Sequence, residues 1–156
     1  MKSPLAALAL TTALTLPGLA MARTVTITTE MNSYGGNPAF LAYFLTDANG
    51  GYVRSLWMAG GRARYYEHMT AWTAAVGGDY SQIDGITGAS VGSGQTLTLS
   101  LDLEDSLFDA GYVLHIDSAV EQMREAPNEI AVPLTAAANG KVVRGHRYVA
   151  AFSYAF

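Results

Sequence analysis

The 156-residue chain contains no cysteine. That excludes disulfides, thiolate-held zinc or iron–sulfur centres, a cysteine nucleophile and c-type haem attachment. Charged residues are scarce, 14% of the chain against 50% hydrophobic, which excludes a disordered or acidic-tail protein. The nine basic side chains are scattered and the formal net charge is −4. No basic stripe exists to neutralise phosphates, so nucleic acid is excluded as a partner. Chemistry-bearing motifs are missing too. His68, His115 and His146 have no second His at metal-ligand spacing, no G-x-S-x-G elbow marks a nucleophile, and no strand–G-x-G-x-x-G–helix unit marks a dinucleotide site.

What is present begins with an export signal. Met1-Lys2-Ser3 is a short positive segment, Leu5 to Leu16 is apolar apart from Thr, Pro17-Gly18 breaks the run, and Ala20-Met21-Ala22 is a small-x-small cleavage site. This pattern predicts a signal peptide over residues 1–22 and a periplasmic mature domain over residues 23–156. The apolar run is too short for the ~20 residues that a spanning helix needs, and no later stretch could span, so no transmembrane segment is expected in the mature chain. N-terminal sequencing of the exported protein should begin at Arg23; retention of residues 1–22 would instead make the segment an anchor.

The mature chain reads as strands. Val25 and Ile27 alternate with Thr, Ala39 to Thr46 is a continuous apolar strand expected to be central, and Asp47-Ala48-Asn49-Gly50-Gly51 turns it into a return strand over Tyr52 to Met58. Leu97, Leu99, Leu101 and Leu103 alternate with polar residues. Tyr112, Leu114 and Ile116 are expected inward, with His115 and Asp117 outward. Glu129 to Ala136 carries Pro133 and is expected at an edge; Lys141 to Arg144 is a candidate short strand, and Arg147 to Phe156 alternates again. One interruption has helical spacing: over Arg62 to Val76, residues Tyr65, Met69, Trp72 and Val76 share a face, and Gly77-Gly78 follows where a helix cap belongs. Asp79 to Gly94 reads as a long loop. The pattern predicts a mostly β protein, an antiparallel immunoglobulin-like β-sandwich with one short helix insert. The competing architecture, a small outer-membrane barrel ending on Phe156, needs ~9–11 residues per strand, more than the helical segment and loop leave.

The segment Asp84-Gly85-Ile86-Thr87-Gly88-Ala89-Ser90 resembles the D-x-x-[ST]-G-A-[TS] sequence at which a periplasmic flavin transferase attaches FMN to the final hydroxyl, as in the FMN-carrying subunits of the sodium-pumping NADH:quinone reductase and Rnf complexes. The resemblance implies Ser90 as acceptor, with Ser in place of the usual Thr. It implies that Gly88 and Ala89 ease entry to the transferase, and that Asp84 and Thr87 assist. Read from the residues alone, the same stretch is a Gly-rich loop in which Asp84 and Thr87 make local turns.

Over residues 24 to 156 the chain also resembles a family of periplasmic proteins catalogued as domain of unknown function 2271. The residues that carry it are Leu45 to Trp57, Arg64-Tyr65 with Trp72, Ile86 to Ser90, and Gly111 to Leu114. The resemblance implies an immunoglobulin-like sandwich and a link to flavin transfer and to membrane reductases of iron or haem systems.

Two functions are expected to compete, with a hydrolase ranked behind both because no nucleophile–base pair is visible. One is an electron carrier with covalent FMN at Ser90, its ring shielded by Tyr65, Tyr66 and Trp72, whose partners are a flavin transferase and a membrane reductase. The other is an adaptor module without cofactor, anchored by exposed aromatics around Trp57 and Trp72. His68 and Met69 could supply a haem ligand or simply edge a helix that packs its aromatic stripe on the sandwich.

Overall fold

Alternating Val and Ile against Thr builds β1 (Ala22–Met31), whose apolar side is buried and whose other side is largely solvated. The computed structural model describes residues 21–156, so residues 1–20 of the expected export signal lie outside the described residues. β1 pairs antiparallel on one side with β5 (Thr96–Glu104), whose Leu99 and Leu103 are buried and Leu97 and Leu101 half-buried, and on the other with β8 (Val149–Ala155). The order of this three-stranded sheet is β5-β1-β8.

The facing sheet has five strands, in the order β4-β3-β2-β6-β7. β2 (Phe40–Thr46) and β3 (Tyr52–Ala59) form the expected hairpin, its turn closed by Asp47 Oδ1 accepting from the Asn49 and Gly51 amides. β6 (Val113–Ala119) pairs with β2 and with the edge strand β7 (Ala126–Pro133), which ends on Pro133, where a missing N–H costs no ladder bond. Among the described residues, only β4 (Thr87–Gly88) is parallel to its neighbour. The sheet containing β3, β2, β6 and β7 faces the sheet of β5, β1 and β8, and together they form a mostly antiparallel two-sheet sandwich. The described residues form two open sheets, and no closed barrel.

Every residue of β2 is buried, because both of its faces are covered. Leu41, Tyr43 and Leu45 enter the core between the sheets with Ile27, Leu114, Ile116, Phe152 and Tyr154. There the Tyr43 hydroxyl bonds Thr29 Oγ1 across the sheets at 2.8 Å. Phe40, Ala42 and Phe44 point to the opposite face and meet Tyr66, Met69, Trp72, Val76 and Ile83. A helical cap over residues 63–83 therefore adds a third layer on the five-stranded sheet.

That cap differs from the single helix expected. Ala63–His68 is a 3₁₀ segment, Met69 breaks it with φ −88° and ψ 73°, and α1 (Thr70–Ala75) follows. The break has a partner: the Trp72 amide, near the start of α1, donates to Asp117 Oδ2 at 2.7 Å. The end is as expected. Gly77 and Gly78 adopt φ of 61° and 77°, and their amides donate to Ala74 and Thr73 carbonyls in the paired pattern of a Schellman cap. The stretch expected as a loop, Asp79 to Gly94, contains a 3₁₀ turn (Tyr80–Ile83) and β4. Lys141 to Arg144 forms no strand; Val143 makes one isolated bridge to Phe152.

Asp117 and His115 are expected outward toward solvent; the cap covers Asp117, and neighbours within the five-stranded sheet half-cover His115. Asp117 is fully buried, accepting from the Trp72 and Asn128 amides. His115 is half-buried, stacks on Phe44 with centroids 5.0 Å apart, and sits between Thr46 Oγ1 and Asn128 Oδ1, each at 2.9 Å. A neutral ring that donates from Nδ1 to Asn128 and accepts at Nε2 from Thr46 satisfies both contacts. Burial pushes the His115 pKa down, against the opposing pulls of Asn128 and Asp117. Between that lowered value and ~6.5 the unfolded chain binds the extra proton. His115 therefore contributes stability above pH ~6.5 that is lost as pH falls through its folded pKa. NMR titration should place His115 below the usual histidine range, and His115→Gln should flatten the stability profile just below pH 6.5. A ring titrating above 6.5 would contradict this.

Candidate functional site

Residues 84–90 are anchored at two points rather than hanging free. On one side, the Met58 amide donates to the Ile86 carbonyl at 2.9 Å and the Gly60 amide to the Gly88 carbonyl at 2.8 Å, which fixes β4 along β3. On the other, Val91 and Ala39 exchange backbone hydrogen bonds of 2.9 and 2.7 Å. Ala89 and Ser90 span the gap between these anchors. Gly88 is required by close approach: a Cβ there would lie 2.5 Å from the Trp57 ring. Thr87 Oγ1 donates to the Ile83 carbonyl at 3.0 Å, a local turn of the kind the residues alone predict.

Ser90 is half-buried, and among the described residues its hydroxyl has no hydrogen-bond partner. It lines a cleft of about 530 Å³ with Arg62, Tyr65, Phe40, Asn37 and Glu121. Arg62 is exposed at this cleft and supplies the cation that a phosphate group would need. Ala89 lines the same cleft. Asp84 and Thr87 do not: they line a separate cleft on the other flank of β4, with Tyr66, Tyr80 and Ser81. The seven-residue motif is thus divided between two surfaces.

The three aromatics expected to surround a cofactor separate as well. Tyr65 is half-buried and forms the wall of the Ser90 cleft. Tyr66 is buried, its hydroxyl donating to the Gly60 carbonyl at 3.0 Å. Trp72 is fully buried beneath the cap: its indole N–H donates to Ser55 Oγ at 2.9 Å and its ring stacks on Tyr80 at 5.6 Å. It cannot reach the cleft, because the break at Met69 turns α1 onto the sheet while the preceding 3₁₀ segment leaves Tyr65 at the surface. Nor is it an exposed anchor for a partner. Trp57 is half-buried against Gly88 and the sandwich core.

Sequence reasoning missed Arg62, Phe40 and Glu121. The Tyr65 hydroxyl donates to Glu121 Oε1 at 2.7 Å, and Phe40 and Tyr65 rings lie 5.1 Å apart. Arg62 is two residues before a recognised motif position, and its charge was the available signal. Glu121 follows β6 and meets Tyr65 only through the fold.

A profile of the family described as a predicted periplasmic protein, domain of unknown function 2271, matches residues 22–151. The chain belongs to this family. The match covers all of the sandwich but the end of β8, and the description agrees with the periplasmic location expected from the N-terminal segment. Among the described residues of this family member no helix is long and apolar enough to cross a membrane. No curated protein and no solved structure matches the chain.

Proposed function

We propose that the protein is a periplasmic electron-transfer protein that carries FMN esterified to Ser90, loaded by a flavin transferase and reduced by a membrane reductase of an iron or haem system. The observation that carries this reading is the position of Ser90: its hydroxyl makes no hydrogen bond among the described residues and lines, with Arg62 and Tyr65, a cleft of about 530 Å³. That volume falls in the ~300–1,000 Å³ range of small-molecule sites.

The loading step balances without a redox change. Ser90 Oγ forms a bond to the phosphorus of FMN, which is supplied as a pyrophosphate ester with a nucleoside monophosphate. The pyrophosphate P–O bond breaks, and the hydroxyl proton departs with the nucleoside monophosphate. Ala89 and Ser90, lying between two backbone anchors, present the hydroxyl to the transferase with only a methyl beside it. Asp84 and Thr87, on the other flank, serve recognition of the segment by the transferase, not retention of the flavin. Once attached, the phosphoester lies beside Arg62, whose guanidinium offsets its charge. The flavin supplies the redox chemistry; the chain supplies position and polarity.

The test is co-production in the periplasm with the flavin transferase of the same organism, followed by denaturing electrophoresis. The expected result is a fluorescent band that survives denaturation. A colourless band under those conditions would overturn the reading.

A further inference from the structure

The cleft that holds Ser90 is one of two that share a wall. On the far side of Tyr65 lies a second cavity of about 420 Å³, lined by Phe40, Tyr65, His68, Val120, Met123 and Glu125. Phe40, Tyr65 and Glu121 line both. Their chemistry differs. The Ser90 cleft offers a hydroxyl and the Arg62 guanidinium, with the Glu121 carboxylate on the shared wall. The second cavity offers aromatic, aliphatic and thioether surface, with the His68 Nδ1–Glu125 Oε1 pair at 3.0 Å on its rim.

The Tyr65 wall between them is held from three directions. Its hydroxyl donates to Glu121, its ring leans on Phe40 at 5.1 Å and 50°, and the Arg64 guanidinium lies 4.9 Å from its centroid. A ring fixed in this way loses little conformational freedom when a flat ligand packs on it. The two cavities together present a polar compartment, which holds the Arg62 guanidinium and a Glu121 carboxylate already bonded to the Tyr65 hydroxyl, joined to a mostly apolar one. FMN has the same polarity: an anionic phosphate at one end and a planar, mostly apolar ring system at the other.

We infer that the chain contains a built, reversible FMN site, with the phosphate beside Arg62 and Ser90 and the ring system packed on Tyr65 in the cavity of Phe40, Met123 and His68. The inference rests on the reading above for the identity of the ligand, but it does not require the covalent bond. The site holds the ring against protein after attachment, so the label is a seated cofactor rather than a tethered one.

The probe is free FMN, with riboflavin beside it, titrated into protein produced without a transferase and followed by flavin fluorescence. The unlabelled parent protein should bind FMN, with quenching by the adjacent Tyr65, at or below millimolar concentration. Tyr65→Ala should weaken binding of FMN and riboflavin alike by tenfold or more. Arg62→Ala should weaken FMN by several-fold and leave riboflavin unchanged, because only FMN carries the phosphate. Near-ultraviolet circular dichroism of each variant checks that the sandwich and cap are intact, and Tyr65→Phe, which keeps the ring, should retain binding if Tyr65→Ala misfolds. Absence of FMN binding up to millimolar concentration, or undiminished binding in a folded Tyr65→Ala protein, would overturn the inference. Labelling at Ser90 could still occur in that case, with the ring in solvent. Conversely, reversible binding without labelling would sink the covalent reading and leave the site standing.

Discussion

Trp72→Ala should lower the unfolding free energy of the unlabelled protein by about 3–5 kcal/mol, the usual cost of emptying a buried aromatic site. The indole is fully buried, stacks on Tyr80, meets Tyr66 edge-on at 5.8 Å, and donates to Ser55. Its removal leaves a cavity between the cap and the five-stranded sheet and takes a donor from a buried hydroxyl. Trp72→Phe, which keeps a ring, should cost clearly less. Chemical denaturation of the two variants checks this. A loss below about 1 kcal/mol for Trp72→Ala would mean that the cap is not docked as described. Since the effect is expected without flavin, it also separates a packing role from a shielding role: a residue that only shielded flavin would leave the unlabelled protein untouched.

Ser90→Ala should abolish covalent labelling while leaving stability within about 0.5 kcal/mol of the parent, since Ser90 makes no hydrogen bond that the fold depends on. Ser90→Thr should label at least as well, as it restores the usual acceptor. The measurement is in-gel flavin fluorescence after periplasmic co-production, with thermal unfolding of each variant as the control for folding. Persistent labelling of Ser90→Ala would move the acceptor elsewhere. Loss of labelling together with loss of fold would assign Ser90 a structural part that its surroundings do not suggest. Gly88→Ala is a useful contrast: a Cβ there meets the Trp57 ring, so that variant should fail through misplacement of β4.

Much of the sandwich was legible because its strands carry their own burial pattern. The period-2 leucines of β5, the uninterrupted apolar run of β2, the Asn-Gly turn and the Gly77-Gly78 cap are local signals, and each reports a local physical requirement. What stayed hidden depends on a layer that no strand encodes. Asp117 alternates with Ile116 and so reads as solvent-facing, yet the cap covers that side and converts the carboxylate into a buried acceptor for amides of α1 and β7. His115 is half-covered by its own sheet neighbours Phe44, Thr46 and Asn128. Likewise, a uniform 3.6-residue period places Tyr65 and Trp72 on one face. The 3₁₀ geometry of Ala63–His68 and the break at Met69 send one to the cleft and the other to the core. The candidate cleft followed the same division: the motif singles out Ser90, which lines the cleft, whereas Arg62, Phe40 and Glu121 join it only through β2, β6 and the cap. The parallel pairing of β4 rests on two residues, too short a run to leave a period in the sequence.

The central claim is a covalent FMN on this sandwich, and intact mass spectrometry of the exported protein tests it most directly. Protein isolated from a periplasm containing its own transferase should be heavier than the chain beginning at Arg23 by one FMN minus one water. A mass equal to the unmodified chain, under conditions where the same transferase labels a known acceptor, would contradict it.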